Sequence, residues 1–173
     1  HFLHSSKPVK SDLSVDAVVT LLSAGAVPWC FDKARRKIGS LIEAPGLYKN
    51  CTAYENLKQF SLIYGGTDAE IKEILSLVGL ADTGNKKAGK FSLGMRQRLG
   101  IAQAIMEDPR LLILDEPFNG LDKHGVAEIR ELLLELKAAG KTILLASHNE
   151  KDIRILCDHV YEMDGGILKE RTG

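Results

Sequence analysis

From Ile38 onward, the apolar and polar positions of this chain fall into readable periods. IGSLIEAPG reads as a short strand that breaks at Pro45-Gly46. TAYENLKQFSLIYG has helical spacing, with Thr52 as N-cap and Glu55 three residues later, the pattern of a capping box. DAEIKEILSLVGL places Ile71, Ile74, Leu75 and Val78 on one face of a second helix, whose end Gly79 weakens. ADTGNKKAGKF is a loop rich in Gly and Lys. SLGMRQRLGIAQAIMED follows as a helix capped by Ser92 and stopped near Pro109. LLILD then reads as a buried strand. HGVAEIRELLLELKAAG is a helix with the stripe Val126, Ile129, Leu132, Leu133 and Leu136, ending at Gly140. KTILLAS is a second buried strand, NEKDIRILCD a short helix, and HVYEMDGGILKE a hairpin turning at Gly165-Gly166. Before Ile38, VDAVVTLLSAGAVPWCF is apolar but keeps neither a helical nor a strand period, so residues 1–37 receive no assignment.

Strands that alternate with helices, and are apolar along their whole length, predict an α/β fold with a parallel sheet covered on both faces. Ligands of such sheets bind beyond the carboxyl ends of the strands. Asp115, Glu116 and His148 stand at such ends. A strand tip is rigid, so a carboxylate there can hold Mg²⁺, directly or through water, and Mg²⁺ bridges phosphate oxygens. An acid one residue further points differently and can polarise an attacking water. Asp115 therefore reads as the metal residue and Glu116 as the general base, while an imidazole at His148 could reach a terminal phosphate. A plain Asp-Glu-Pro turn and a helix-capping Ser-His-Asn turn account for the same residues without chemistry. His124 and His159 carry no assignment.

Composition narrows the classes. The chain has 173 residues, 45% of them hydrophobic, which suits one domain or slightly more with a real core. Basic and acidic residues number 23 each, so the net charge of zero gives no electrostatic footprint for nucleic acid. No apolar run approaches the roughly 20 residues needed to span a bilayer. The start HFLHSSKPVKSD is polar and mixed, unlike a signal peptide, and begins with His1 rather than Met. Cys30, Cys51 and Cys157 are far apart and form no CxxC pair, which predicts a reduced, cytosolic protein without a zinc site.

Taken in order, the pieces from Ile38 to about Glu170 resemble the ATPase subunit of ABC transporters. SLIEAPGLYKNCTAYENL is similar to the Q-loop leading into the helical subdomain, and FSLGMRQRLGIAQAI to the signature helix. LLILDEP is similar to the Walker B strand with its catalytic Glu, Asn119 to Asp122 to the D-loop, and ASHN to the H-loop. Each motif alone is weak; their occurrence in the family's order is specific. The resemblance implies a P-loop NTPase-like sheet with a helical subdomain at about 52–107, ATP and Mg²⁺ as cofactors, and Ser92, Gly94, Glu43 and Asp122 as nucleotide-site residues. Two departures stand out. The signature reads Phe91-Ser92-Leu93-Gly94-Met95 where the family prototype has LSGGQ, which keeps a hydroxyl and a close backbone approach to phosphate. The Q-loop position holds Glu43, and in the setting LIEAPG it resembles the bacitracin and lantibiotic self-immunity exporters.

A third departure is larger. The family's Walker A loop, GxxxxGK[ST], cradles phosphates with backbone N–H groups and its Lys. It should precede the Q-loop. GNKKAGKF (84–91) has the glycines and the lysine but puts Phe91 where the hydroxyl belongs, and no strand precedes it. AAGKT (138–142) leads from a helix into a strand, the reverse of the required context, with Glu135 at the first Gly position. The sequence thus predicts an N-terminally truncated ATPase that does not bind ATP alone. Residues 1–37 would replace the region after Walker A, and 38–173 would form a partial ATPase domain.

Family subunits dimerise head to tail, so a homodimer of this chain would hold no complete site. Paired with an intact subunit it could complete one, through its signature helix. The expected partners are a membrane permease, which would hold the chain at the cytoplasmic face of the membrane, and a second ATPase subunit in a homo- or heterodimer. The expected cargo is an antimicrobial peptide or similar amphipathic compound. Two other readings remain open here: a non-hydrolysing remnant or regulatory partner, and a soluble ABC ATPase that acts without a permease. The resemblance also places the strands 111–115 and 142–146 on either side of the P-loop strand. Unpaired edges would then drive self-association.

Overall fold

The computed structural model describes residues 37–42, 44–164 and 167–171. The unassigned 1–36, Glu43 and the Gly165-Gly166 turn lie outside the described residues. Strands β1 (Ile38–Leu41), β2 (Leu111–Asp115) and β3 (Thr142–Ala146) form a parallel sheet in the order β1-β2-β3. Helices α1 (Ala53–Tyr64), α2 (Asp68–Leu77) and α3 (Leu93–Ile105) lie between β1 and β2 in sequence, α4 (Lys123–Ala138) between β2 and β3, and α5 (Glu150–Leu156) after β3. The antiparallel hairpin β4 (Tyr161–Asp164) and β5 (Ile167–Glu170) follows, with Tyr161 opposite Glu170 and Asp164 opposite Ile167.

Local chemistry sets the helix starts. Thr52 accepts from the Glu55 N–H at 3.1 Å while the Glu55 carboxylate accepts from the Thr52 N–H at 2.7 Å, which is the capping box that the spacing predicts. Thr67 and Glu70 repeat it on α2. The Thr52 N–H, and after it the Lys87 ammonium, hold the Glu55 carboxyl below its usual range. Asn56, fully buried on α1, exchanges hydrogen bonds with the Tyr48 N–H (2.8 Å) and carbonyl (3.1 Å) and so pins the segment leaving β1.

One core joins the layers. Leu41, Leu112 and Leu114 of the sheet cluster with Leu99, Ile101 and Ile105 of α3, Ile71 and Ile74 of α2, and Ile129 and Leu133 of α4. α1 packs on α2, both pack on α3, and α3 packs on β1. At about 25 cal/mol per Å² of apolar surface, each such buried leucine or isoleucine contributes roughly 1.5–3 kcal/mol.

Two expectations for β3 change. It is not a buried strand: Leu144 keeps 45% of its surface exposed and Ile143 and Leu145 are half-buried. An apolar run records a need for cover, and β3 has a neighbouring strand on one side only among the described residues. Nor does a strand fit between β2 and β3. They pair directly from Leu111 with Thr142 to Asp115 with Ala146. Since β1 occupies the other side of β2, the Walker B-like strand is central and not an edge.

Both GK stretches are committed to other bonds. In 84–91 the Ala88 and Gly89 N–H groups donate to the Cys51 (2.8 Å) and Lys49 (2.9 Å) carbonyls, so they cannot also cradle a phosphate. In 138–142 the Gly140, Lys141 and Thr142 N–H groups donate to Lys137, Leu136 and Arg110, and the Lys141 ammonium pairs with Asp108.

Candidate functional site at the strand tips

The parallel pairing of β2 and β3 brings their carboxyl ends together. Asp115 closes β2 opposite Ala146, and its carboxylate has no protein partner among the described residues. Glu116 leaves the strand with φ +46°, a left-handed backbone that costs a non-glycine residue about 1–2 kcal/mol. The surrounding bonds hold it there. Its N–H donates to the Ala146 carbonyl at 2.9 Å, and its own carbonyl accepts from the Asn119 N–H at 3.0 Å and from Gln97 Nε2 at 2.9 Å.

The turn re-aims the side chain. Glu116 Oε1 accepts from the His148 N–H at 2.9 Å and meets His148 Nδ1 at 2.7 Å. With a proton on Nδ1 the imidazole donates to the carboxylate. One carboxylate oxygen is thus fixed and the other remains to accept from water. The imidazole is otherwise almost entirely exposed. Of the residues predicted for chemistry, Asp115 and Glu116 stand together at the tip of β2, and His148, just beyond β3, contacts Glu116.

The signature and D-loop residues meet along a second seam. Ser92 caps α3, its hydroxyl oxygen accepting from the Met95 N–H at 3.2 Å. Asp122 caps α4, its carboxylate accepting from the Gly125 N–H at 2.7 Å. Gly94 is buried against the D-loop: a Cβ there would stand 2.6 Å from the Gly120 carbonyl oxygen. Gly94 thus approaches this chain's own Gly120 closely. Gln97 follows the signature in the family's expected place but has no role assigned from sequence; it is only 3% exposed and reaches Glu116 from α3. Its signal was a polar residue among the buried Gly94, Leu99, Gly100 and Ile101 of that helix.

A cleft of about 370 Å³ opens where the chain leaves β1, lined by Ile42, Pro45, Phe60, Gly100 and Gln103. Ile42, and Leu62 and Ile63 of α1, are strongly exposed.

The acids stand at the carboxyl end of a central parallel strand, where ligands of such sheets bind, with a histidine close to the end of the next strand. The family model described as ABC transporter matches residues 15–119, more than half of the chain, and the chain belongs to this family. It is 44% identical over 137 residues to the lantibiotic transport ATP-binding protein SrtF of Streptococcus pyogenes, covering 79% of this chain and 60% of that protein. It is 49% identical over 137 residues to the bacitracin transport ATP-binding protein BcrA of Bacillus licheniformis, covering 78% of this chain and 45% of that one. A solved structure described as the ATP-binding subunit of an ABC transporter superposes with TM-score 0.70 at 31% identity, covering 80% of this chain and 61% of that structure. The chain thus spans about three-fifths or less of the length of these relatives.

Proposed function

We propose that this chain forms the Walker B, signature and H-loop part of an ATP-hydrolysing subunit that powers an ABC exporter. The observation that carries the reading is the double contact of Glu116 Oε1 with the His148 N–H and Nδ1, beside the Asp115 carboxylate, which has no partner among the described residues. Glu116 is the general base: with one oxygen held by His148, the other accepts a proton from the attacking water. His148 orients that carboxylate. Asp115 offers oxygen to a hard cation at a rigid strand tip, which fits Mg²⁺, a metal commonly bound by one or two carboxylates plus substrate phosphates. Bound Mg²⁺ would neutralise charge on the phosphates of ATP. Ser92, Gly94 and Asp122 lie at the seam between signature and D-loop, and serve the ATP gripped by a second ATPase subunit in a head-to-tail dimer. Residues of about 52–107 form the helical subdomain, and the cleft at Ile42 and Phe60 receives a transmembrane permease. Among the described residues no helix is long and apolar enough to cross a membrane. Attachment to the cytoplasmic face of the membrane is therefore assigned to that permease.

The decisive experiment is Glu116→Gln in the full-length protein containing this chain. Hydrolysis should fall by about 10²–10⁴-fold with ATP affinity retained; unchanged turnover would remove Glu116 from the role of base. The cargo is proposed as an antimicrobial peptide or similar amphipathic compound, since relatives are named for lantibiotic and bacitracin transport. Deleting the gene should sensitise its host to such a compound, and unchanged sensitivity across lantibiotics and bacitracin would reject that cargo class.

A further inference from the structure

We infer that Gln97 is a positioning residue for Glu116, a role that rests on reading Glu116 as the base. Gln97 lies in the second turn of α3, on the helix that Ser92 caps, and is buried. Its Nε2 donates to the carbonyl of Glu116 at 2.9 Å, 19 residues away in sequence. That carbonyl belongs to the residue whose φ is +46°. A left-handed residue without glycine's freedom persists only where its surroundings over-determine it. Among the described residues three bonds hold the Glu116 backbone: one from its N–H to β3, and two on its carbonyl, from Asn119 and Gln97. Only the Gln97 bond comes from a helix in another part of the sequence.

The consequence is a mechanical link. Gly94 packs against Gly120 four residues after Glu116, so α3 touches the 116–122 segment at two points. A displacement of the signature helix is therefore felt at the peptide that aims the base. If Gln97 releases the carbonyl, the peptide can relax and the carboxylate leaves the His148 N–H. The site then keeps its residues but loses their alignment, which shows in turnover rather than in nucleotide affinity.

The test uses the full-length protein and two variants. Gln97→Met keeps the volume and removes the donor. Gln97→Glu is isosteric and regains a donor only when protonated. In nucleotide-free protein labelled with ¹³C-glutamate, Gln97→Met should move the Glu116 carbonyl resonance and speed amide exchange at Asn119. In Gln97→Glu that resonance should return toward the wild-type position as pH falls. With Mg-ATP, Gln97→Met should lower kcat by about ten- to a hundredfold at unchanged KM, and should cost nothing more in a Glu116→Gln background. An unmoved Glu116 carbonyl, or an unchanged kcat with only a lower melting temperature, would overturn the inference and leave Gln97 as a buried polar group alone. Full turnover in Glu116→Gln would instead strike the base assignment. The carbonyl resonance would still decide whether Gln97 sets that backbone.

Discussion

Gly94→Ala isolates the seam between signature helix and D-loop. The added Cβ would sit 2.6 Å from the Gly120 carbonyl oxygen and 3.3 Å from Leu121 Cδ2. Carbon–oxygen contacts settle at about 3.3–3.6 Å, so helix or loop must retreat by roughly 0.7 Å. The obstructing atom is backbone, and it belongs to a residue with φ +74° whose other side is crowded by Leu93, so neither partner moves freely. Overpacking of this kind costs about 1–3 kcal/mol. Alanine's better helix propensity returns at most about 1 kcal/mol, and less in the first turn where Gly94 lies. The net expectation is a loss of about 1–2 kcal/mol, or roughly 3–6 °C in Tm for a chain of this size. Urea and thermal unfolding of nucleotide-free protein measure it, because any effect through bound phosphate is then absent. Gly46→Ala is the control: nothing lies within 4 Å of its Cβ, and the change should stay within about 0.5 kcal/mol. If the two variants are equally stable, the packing account of Gly94 is wrong and its glycine answers to a ligand only.

Two further substitutions probe the packing of α4. Asp152 is completely buried and pairs with Arg130 at 2.5 Å, tying α5 to α4. Asp152→Ala should cost about 3 kcal/mol in denaturant unfolding by stranding the guanidinium, and Arg130→Met combined with Asp152→Leu should recover much of it. A single variant as stable as wild type would show that Arg130 finds water instead. The Arg98 guanidinium beside Glu128 outweighs burial and holds that carboxyl below its usual range. A depressed carboxylate pKa stabilises the fold above the ordinary carboxylate range, and that share is lost as pH falls through the lowered value. Glu128 is partly exposed, so the share is under about 1 kcal/mol. The stability gap between wild type and Glu128→Gln should therefore be present at neutral pH and close in acid. A gap that stays constant down to about pH 3 would point to packing instead of charge.

Much of this molecule is legible without coordinates because its local signals are strong. Thr52 with Glu55, and Ser92, each mark a helix start through bonds that span three residues, and the apolar run 111–114 ending in Asp115 and Glu116 marks a strand tip. Their places at predicted strand ends were enough to single out Asp115, Glu116 and His148 as candidates. What needed the fold is whatever depends on distant partners. That β2 and β3 pair directly is a matter of register between segments 31 residues apart, and periodicity holds no information on which strand is whose neighbour. That β3 stays half-exposed follows from its neighbours rather than its composition. The GNKKAGK stretch has the spacing of a phosphate loop in a context that already argues against it, and the bonds of Ala88 and Gly89 to Cys51 and Lys49 show where its donors go. The sequence by itself determined which residues carry oxygen, nitrogen and charge to the strand tips. The tertiary structure alone decided that His148 grips Glu116, and that a buried glutamine from α3 holds the backbone behind it, because a hydrogen bond exists only where two separate parts of the chain are brought within reach.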